Sequence, residues 1–206
     1  MRNVDSALSE ISDIRAQLLA TTRFVGISPG FNLMLGVINL VVMLTHYLFQ
    51  PAIMGSEFAF VTFWGALLLA SMVIIMGDAI TRARRFHGAV AGVLVRTVMQ
   101  KIMPFVAATI IVSWVFFSFA PESLRLLPGL WQILLGLMGF ALLSNVPKEL
   151  VLVASWYFGC GVVVLAVAGQ HGLAPWMMGV PYAVGHFLVA YAFGRASGGI
   201  GVYKQI

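Results

Sequence analysis

Six long runs of apolar residues dominate the sequence, and each is close to the length of a membrane-spanning helix. The six runs cover residues 31–49, 58–77, 102–120, 128–146, 149–169 and 175–194. Because the hydrocarbon core of a bilayer is about 30 Å thick, a helix needs about 20 apolar residues to cross it. The pattern therefore predicts an all-α integral membrane protein, a bundle of six transmembrane helices.

The segments outside these runs also show helical patterns. Apolar residues recur at helical spacing at Val4, Leu8 and Ile11, with acidic side chains between them, which predicts an amphipathic N-terminal helix. We expect residues 1–30 to form a cytoplasmic segment that is not removed, because no signal-peptide cleavage motif follows the first run. The pattern of residues 78–100 predicts a basic cytoplasmic linker helix. We expect residues 195–206 to form a short cytoplasmic tail.

Composition agrees with this division of the chain. Hydrophobic residues make up 61% of the 206 residues and charged residues only 9%, whereas soluble proteins carry about 25% charged residues. The runs leave little chain for a separate soluble domain. We therefore expect one membrane domain, residues 31–194, in contact with the lipid bilayer.

The positive charges predict an orientation. When the six runs are threaded as spans, eleven of the twelve Lys and Arg residues fall on one side, and only Arg125 falls on the other. Short loops rich in Lys and Arg stay in the cytoplasm, so we expect both termini to be cytoplasmic. The net charge of +5 then reflects topology, and nucleic acid is not an expected partner.

The most basic stretch begins directly after the second run. It contains Asp78, Arg82, Arg84, Arg85 and His87, and Asp78 and Arg82 have the i, i+4 spacing of a helical ion pair. Cations next to a span gain about 1 kcal/mol each from an anionic leaflet. This stretch is therefore either a topological anchor or a docking site for anionic lipid headgroups or an acidic protein partner.

Few residues inside the spans could carry chemistry. His186 and Asn39 each lie eight residues from the end of their apolar run, at about 12 Å depth, so we expect that they can meet. Pro181 removes one helical hydrogen bond and predicts a kink beside them. Asn39, His186 and Pro181 are therefore the candidate intramembrane polar site, and the alternative is that His186 only holds two spans together.

The sequence does not favour a catalytic or cofactor site. The carboxylates Glu57, Asp78 and Glu149 all lie at span borders, and no metalloprotease or serine-hydrolase motif occurs. His46 lies about 10 Å nearer the outer face than His186, so the two cannot easily share a haem iron. We expect no enzymatic activity, no metal and no cofactor.

Three motifs in the middle of the chain resemble those of a group of small multi-pass membrane proteins of bacteria, for which no activity is established. These motifs are the basic stretch from Asp78 to His87, the segment Leu127-Pro128-Gly129-Leu130-Trp131-Gln132, and the pair Trp156-Tyr157. The resemblance implies a bacterial cytoplasmic (inner) membrane and no particular site.

Two functions follow from these observations. The first is a non-enzymatic accessory or regulatory membrane protein that acts through helix packing, its basic cytoplasmic face, and a membrane-protein partner or a second copy of itself. The alternative is a small-solute facilitator or transporter with a polar pocket near Asn39 and His186. A continuous polar cavity past His186 would favour the alternative, and tightly packed spans without a cavity would favour the first function.

Overall fold

The computed structural model describes residue 11 and residues 26–53, 56–87 and 91–196. Over these residues the chain forms six long helices, and a 3₁₀ helix, Pro121–Leu126, leads directly into the fourth. The helices are α1 Pro29–Ile53, α2 Glu57–His87, α3 Ala91–Phe119, α4 Leu127–Leu142, α5 Leu150–His171 and α6 Trp176–Ala196. Most of the predicted N-terminal helix and of the tail lies outside the described residues.

The prediction of a multi-pass helical membrane protein is confirmed at this level. Six helical segments of the described chain are long and apolar enough to cross a membrane. Large apolar side chains such as Val41, Val73 and Ile111 lie on the outside of the bundle, each more than half exposed. Such a surface is expected where the solvent is lipid rather than water.

The linker prediction is corrected. Residues 78–100 do not form a helix of their own, because α2 continues without interruption to His87 and α3 begins at Ala91. The 31 residues of α2 extend about 46 Å, well beyond the hydrocarbon thickness of about 30 Å. The basic stretch is therefore the last part of α2 itself.

The two ends of the bundle differ in charge. Helices α2, α4 and α6 finish at the end that carries Arg82, Lys148 and Arg195, which we call the basic end. Lys101, in the first half of α3, donates a hydrogen bond to Ser144, just after α4. This contact places the first half of α3 beside the end of α4.

Close packing of α4 and α5 depends on glycine. A Cβ atom at Gly161 would lie 2.7 Å from the carbonyl oxygen of Gly129 and 2.7 Å from the amide nitrogen of Ile133. Both neighbours are backbone atoms and cannot move aside alone. Small residues that allow such approach are the usual means by which helices associate inside membranes.

Burial is distributed unevenly among the helices. In the most apolar 18-residue stretch of α6, 67% of the stretch is buried inside the bundle. In the corresponding stretch of α3 the buried share is only 6%. Helix α6 packs most extensively against α1 and also contacts α5. It is therefore the innermost helix, and α3 is the peripheral one.

Candidate functional site

A cavity of about 200 Å³ that is not fully enclosed lies among the helices toward the basic end, and we call it the chamber. All six helices contribute side chains to its wall. Most of these are Leu, Ile, Val and Met, and the polar ones are Asn32, Ser71, Tyr157, Tyr182 and His186. None of the described lining residues is Asp, Glu, Lys or Arg. The chamber is thus a mostly apolar space with a few polar groups.

His186 is paired with Asn32 across the interface of α6 and α1. Its Nδ1 atom lies 3.1 Å from Oδ1 of Asn32, and both residues are buried. The side-chain nitrogen of Asn32 donates to the carbonyl oxygen of Ser28 at 2.9 Å. This bond orients the side-chain oxygen of Asn32 toward the imidazole of His186. A carboxamide oxygen only accepts, so Nδ1 carries the proton, and in the neutral ring Nε2 holds the lone pair.

The predicted meeting of Asn39 and His186 is corrected by this geometry. Asn39 is buried, but its amide nitrogen donates to the carbonyl oxygen of Leu35 in its own helix at 2.9 Å. The prediction from equal depth fails because the start of α1 and the end of α6 do not lie at the same level. Helix α1 begins three residues before Asn32, whereas α6 continues ten residues past His186. Asn39 is seven residues, or about 10 Å, further along α1 than Asn32.

Tyr182 is a polar residue of the site that the sequence analysis did not single out. Its side chain is only 6% exposed, and within the described part of the chain its buried hydroxyl has no hydrogen-bond partner. Its ring lies 5.8 Å from that of Tyr157, which also lines the chamber. The available signal was spacing, since Tyr182 precedes His186 by four residues and shares its helical face.

The arrangement leaves an unmet hydrogen bond beside an apolar space. A buried hydroxyl without a partner costs about 1–3 kcal/mol. A bound molecule with one polar atom near Tyr182 would recover that free energy while its apolar part fills the rest of the chamber. This combination of an apolar cavity and a few convergent polar groups is typical of small-molecule sites.

Pro181 does not line the chamber but determines how α6 is held beside it. Proline has no amide hydrogen, so the carbonyl oxygen of Met177 loses its helical donor. The side-chain nitrogen of Gln132 in α4 donates to that oxygen at 2.7 Å, and Gln132 is completely buried. Trp156 of α5 donates from Nε1 to the carbonyl oxygen of Pro181 at 3.0 Å. Two neighbouring helices thus anchor α6 at the proline.

His46 belongs to a different part of the molecule. Its Nδ1 accepts a hydrogen bond of 3.0 Å from Nε1 of Trp64, which links α1 to α2, and the ring of Phe60 lies 5.2 Å away. His46 and His186 therefore have separate partners. In the described ranges, no three His, Cys, Asp or Glu residues form a group that could hold a metal ion.

At the basic end, the predicted ion pair between Asp78 and Arg82 is present. Nε of Arg82 lies 2.9 and 3.0 Å from the two carboxylate oxygens. Arg84 and Arg85, the next cations on α2, are exposed. Helix α2 ends at His87. The side chain of His87 is not among those that the structure describes. Among the side chains of this stretch that the structure describes, the exposed cations are thus Arg84 and Arg85.

Comparison of the sequence and fold with protein-family models, with curated proteins and with solved structures finds no match. Support for a function therefore comes from the chamber and the basic end themselves.

The role of Gln132 is testable with a double-mutant cycle. We expect Gln132→Leu to lower the free energy of unfolding in detergent by about 1–3 kcal/mol, because the Met177 carbonyl loses its donor. In a Pro181→Ala background the new amide hydrogen can bond to that carbonyl, so the same substitution should have a much smaller effect. An equal effect in both backgrounds would contradict the assignment.

Proposed function

We propose that this protein is a non-enzymatic membrane protein that binds a small, uncharged and mostly apolar molecule in the chamber. The observation that carries the proposal is that Tyr182 lines an apolar cavity while its buried hydroxyl has no partner in the described chain. Binding of this kind fits an accessory or regulatory protein whose packing responds to a ligand.

The charge of the ligand follows from the lining. An isolated charge transferred into an apolar medium costs tens of kcal/mol unless it is paired, and none of the described lining residues is Asp, Glu, Lys or Arg. The mostly apolar wall also differs from the continuous polar passage that a polar solute needs. The lining therefore supports binding of an apolar molecule over transport of an ion or a sugar.

The size and polarity of the ligand follow from the same site. A cavity of about 150 Å³ is enough to bind benzene, so a chamber of about 200 Å³ that is not fully enclosed suits a molecule of one or two rings. The Tyr182 hydroxyl can donate to a carbonyl or accept from a hydroxyl, and the neutral His186 ring offers an acceptor at Nε2. We infer a small ring system or short chain with a carbonyl or hydroxyl group.

A suitable probe is 4-hydroxybenzophenone, an apolar two-ring molecule with one carbonyl and one hydroxyl. We expect Tyr182→Phe to weaken its binding to protein in nanodiscs about three- to tenfold, the effect of one hydrogen bond of about 0.5–1.5 kcal/mol. Binding of the tritiated probe, with empty nanodiscs subtracted, measures this. The matched control is Tyr47→Phe, because Tyr47 is 69% exposed on α1 and does not line the chamber.

Thermal unfolding of the same variants separates binding from folding. Since the Tyr182 hydroxyl has no partner in the described chain, Tyr182→Phe should be at least as stable as the original protein. Equal probe affinity in Tyr182→Phe and Tyr47→Phe would rule out the hydroxyl as a ligand contact.

We propose a second role for the basic end, which is contact with anionic lipid headgroups on the cytoplasmic side of a bacterial inner membrane. Arg84 and Arg85 are exposed near the end of α2, while Arg82 is paired with Asp78. The positive-inside pattern supports placing this end, and both termini, in the cytoplasm. The side of the membrane on which this end lies is measured with the Arg85→Cys substitution in a Cys160→Ala chain. A thiol reagent that does not cross membranes is added from each side of sealed membranes.

Lipid retention tests the headgroup contact. Each cation near an anionic leaflet contributes about 1 kcal/mol, so the double variant Arg84→Gln/Arg85→Gln should retain less phosphatidylglycerol relative to phosphatidylethanolamine. Native mass spectrometry of protein extracted from mixed vesicles measures the ratio. Arg125→Gln, at the opposite end, is the matched control, and an equal loss in both variants would contradict a specific contact at α2.

A further inference from the structure

A second space opens beside the chamber, between α2 and α3. It has a volume of about 340 Å³ and is lined from α2, α3 and Trp131 of α4; we call it the groove. Leu69 and Ile110, one from each helix, line it and are about half exposed. Their exposed faces lie in the spanning segments, so the groove opens toward the lipid.

A much smaller space shares lining residues with both the groove and the chamber. Its volume is about 10 Å³, close to the smallest space that holds one water molecule, about 10–15 Å³. It shares Leu68, Thr109 and Trp131 with the groove, and Leu68, Met72, Leu135 and Met138 with the chamber. We call the last four residues the gate, because they separate two larger spaces.

The gate can widen by side-chain rotation. Two of its four residues are methionines, whose unbranched side chains adapt readily to a changed space. Helix α3 borders the groove and is the least buried helix, since only 6% of its most apolar stretch is buried inside the bundle. A small displacement of α3 therefore disrupts few packed contacts, and regions with few buried contacts open most readily.

We propose that the ligand of the chamber enters sideways from the bilayer, through the groove and past the gate. This proposal rests on the proposed binding function and narrows the ligand to a lipid-soluble molecule that partitions into the membrane before it binds. The route needs no aqueous passage, which agrees with mostly apolar walls along all three spaces. The chamber holds the ligand, and the gate controls the rate at which it arrives.

A bulky side chain in the groove tests the route. Ala66 lines the groove and is exposed, whereas Ala70, one turn further along α2, is also exposed but borders none of the three spaces. We expect Ala66→Trp to slow association of 4-hydroxybenzophenone with the chamber at least about tenfold, which corresponds to about 1.4 kcal/mol of added barrier. Ala70→Trp should leave the rate unchanged.

The rate is measured by mixing the probe with protein in nanodiscs, flashing with ultraviolet light after set delays, and quantifying label on chamber peptides. Equal rates in Ala66→Trp and Ala70→Trp would overturn the sideways route while leaving the chamber as the binding site. Absence of label in the chamber of the unmodified protein at every delay would overturn the binding function itself. Slow labelling in Ala66→Trp alone, reaching the same final level, supports both.

Discussion

The fold depends on satisfying backbone hydrogen bonds where no water is available. In the hydrocarbon region each unpaired amide or carbonyl group costs several kcal/mol, and Pro181 leaves the Met177 carbonyl unpaired in the most buried helix of the bundle. Gln132 supplies the missing donor from α4, and Trp156 supplies a second bond from α5. These two contacts fix α6 against its neighbours at the position where its polar residues begin.

The chemistry of the site follows from that anchoring. Tyr182 comes directly after the proline and His186 follows one turn later, so both are held at the wall of the chamber. His186 has its partner in Asn32, but the hydroxyl of Tyr182 has none within the described chain. One unmet hydrogen bond in an apolar cavity is a poor arrangement for stability alone and a suitable one for recognising a molecule with a single polar group.

The sequence predicted six apolar helices of spanning length because bilayer thickness sets the length of an apolar run. It predicted the i, i+4 pair of Asp78 and Arg82 because helical geometry is local. Prediction from the sequence failed where a contact depends on how two helices are offset along their axes. Asn32 and Asn39 share a helical face, and only the stagger of α1 against α6 shows which one reaches His186. The prediction of a separate linker helix failed for a similar reason, since composition does not show how far α2 continues past its apolar run. Gln132 could have been found by asking what replaces the amide hydrogen missing at Pro181.

Whether the chamber binds a small, mostly apolar molecule is tested by mapping the sites of a photolabel. Purified protein in nanodiscs is saturated with 4-hydroxybenzophenone, irradiated and digested, and the labelled residues are located by mass spectrometry. Binding in the chamber predicts label concentrated on internal residues such as Leu142 and Val189, which line it. Label confined to outward-facing residues such as Val73 and Trp114, with none on the chamber wall, would contradict the claim.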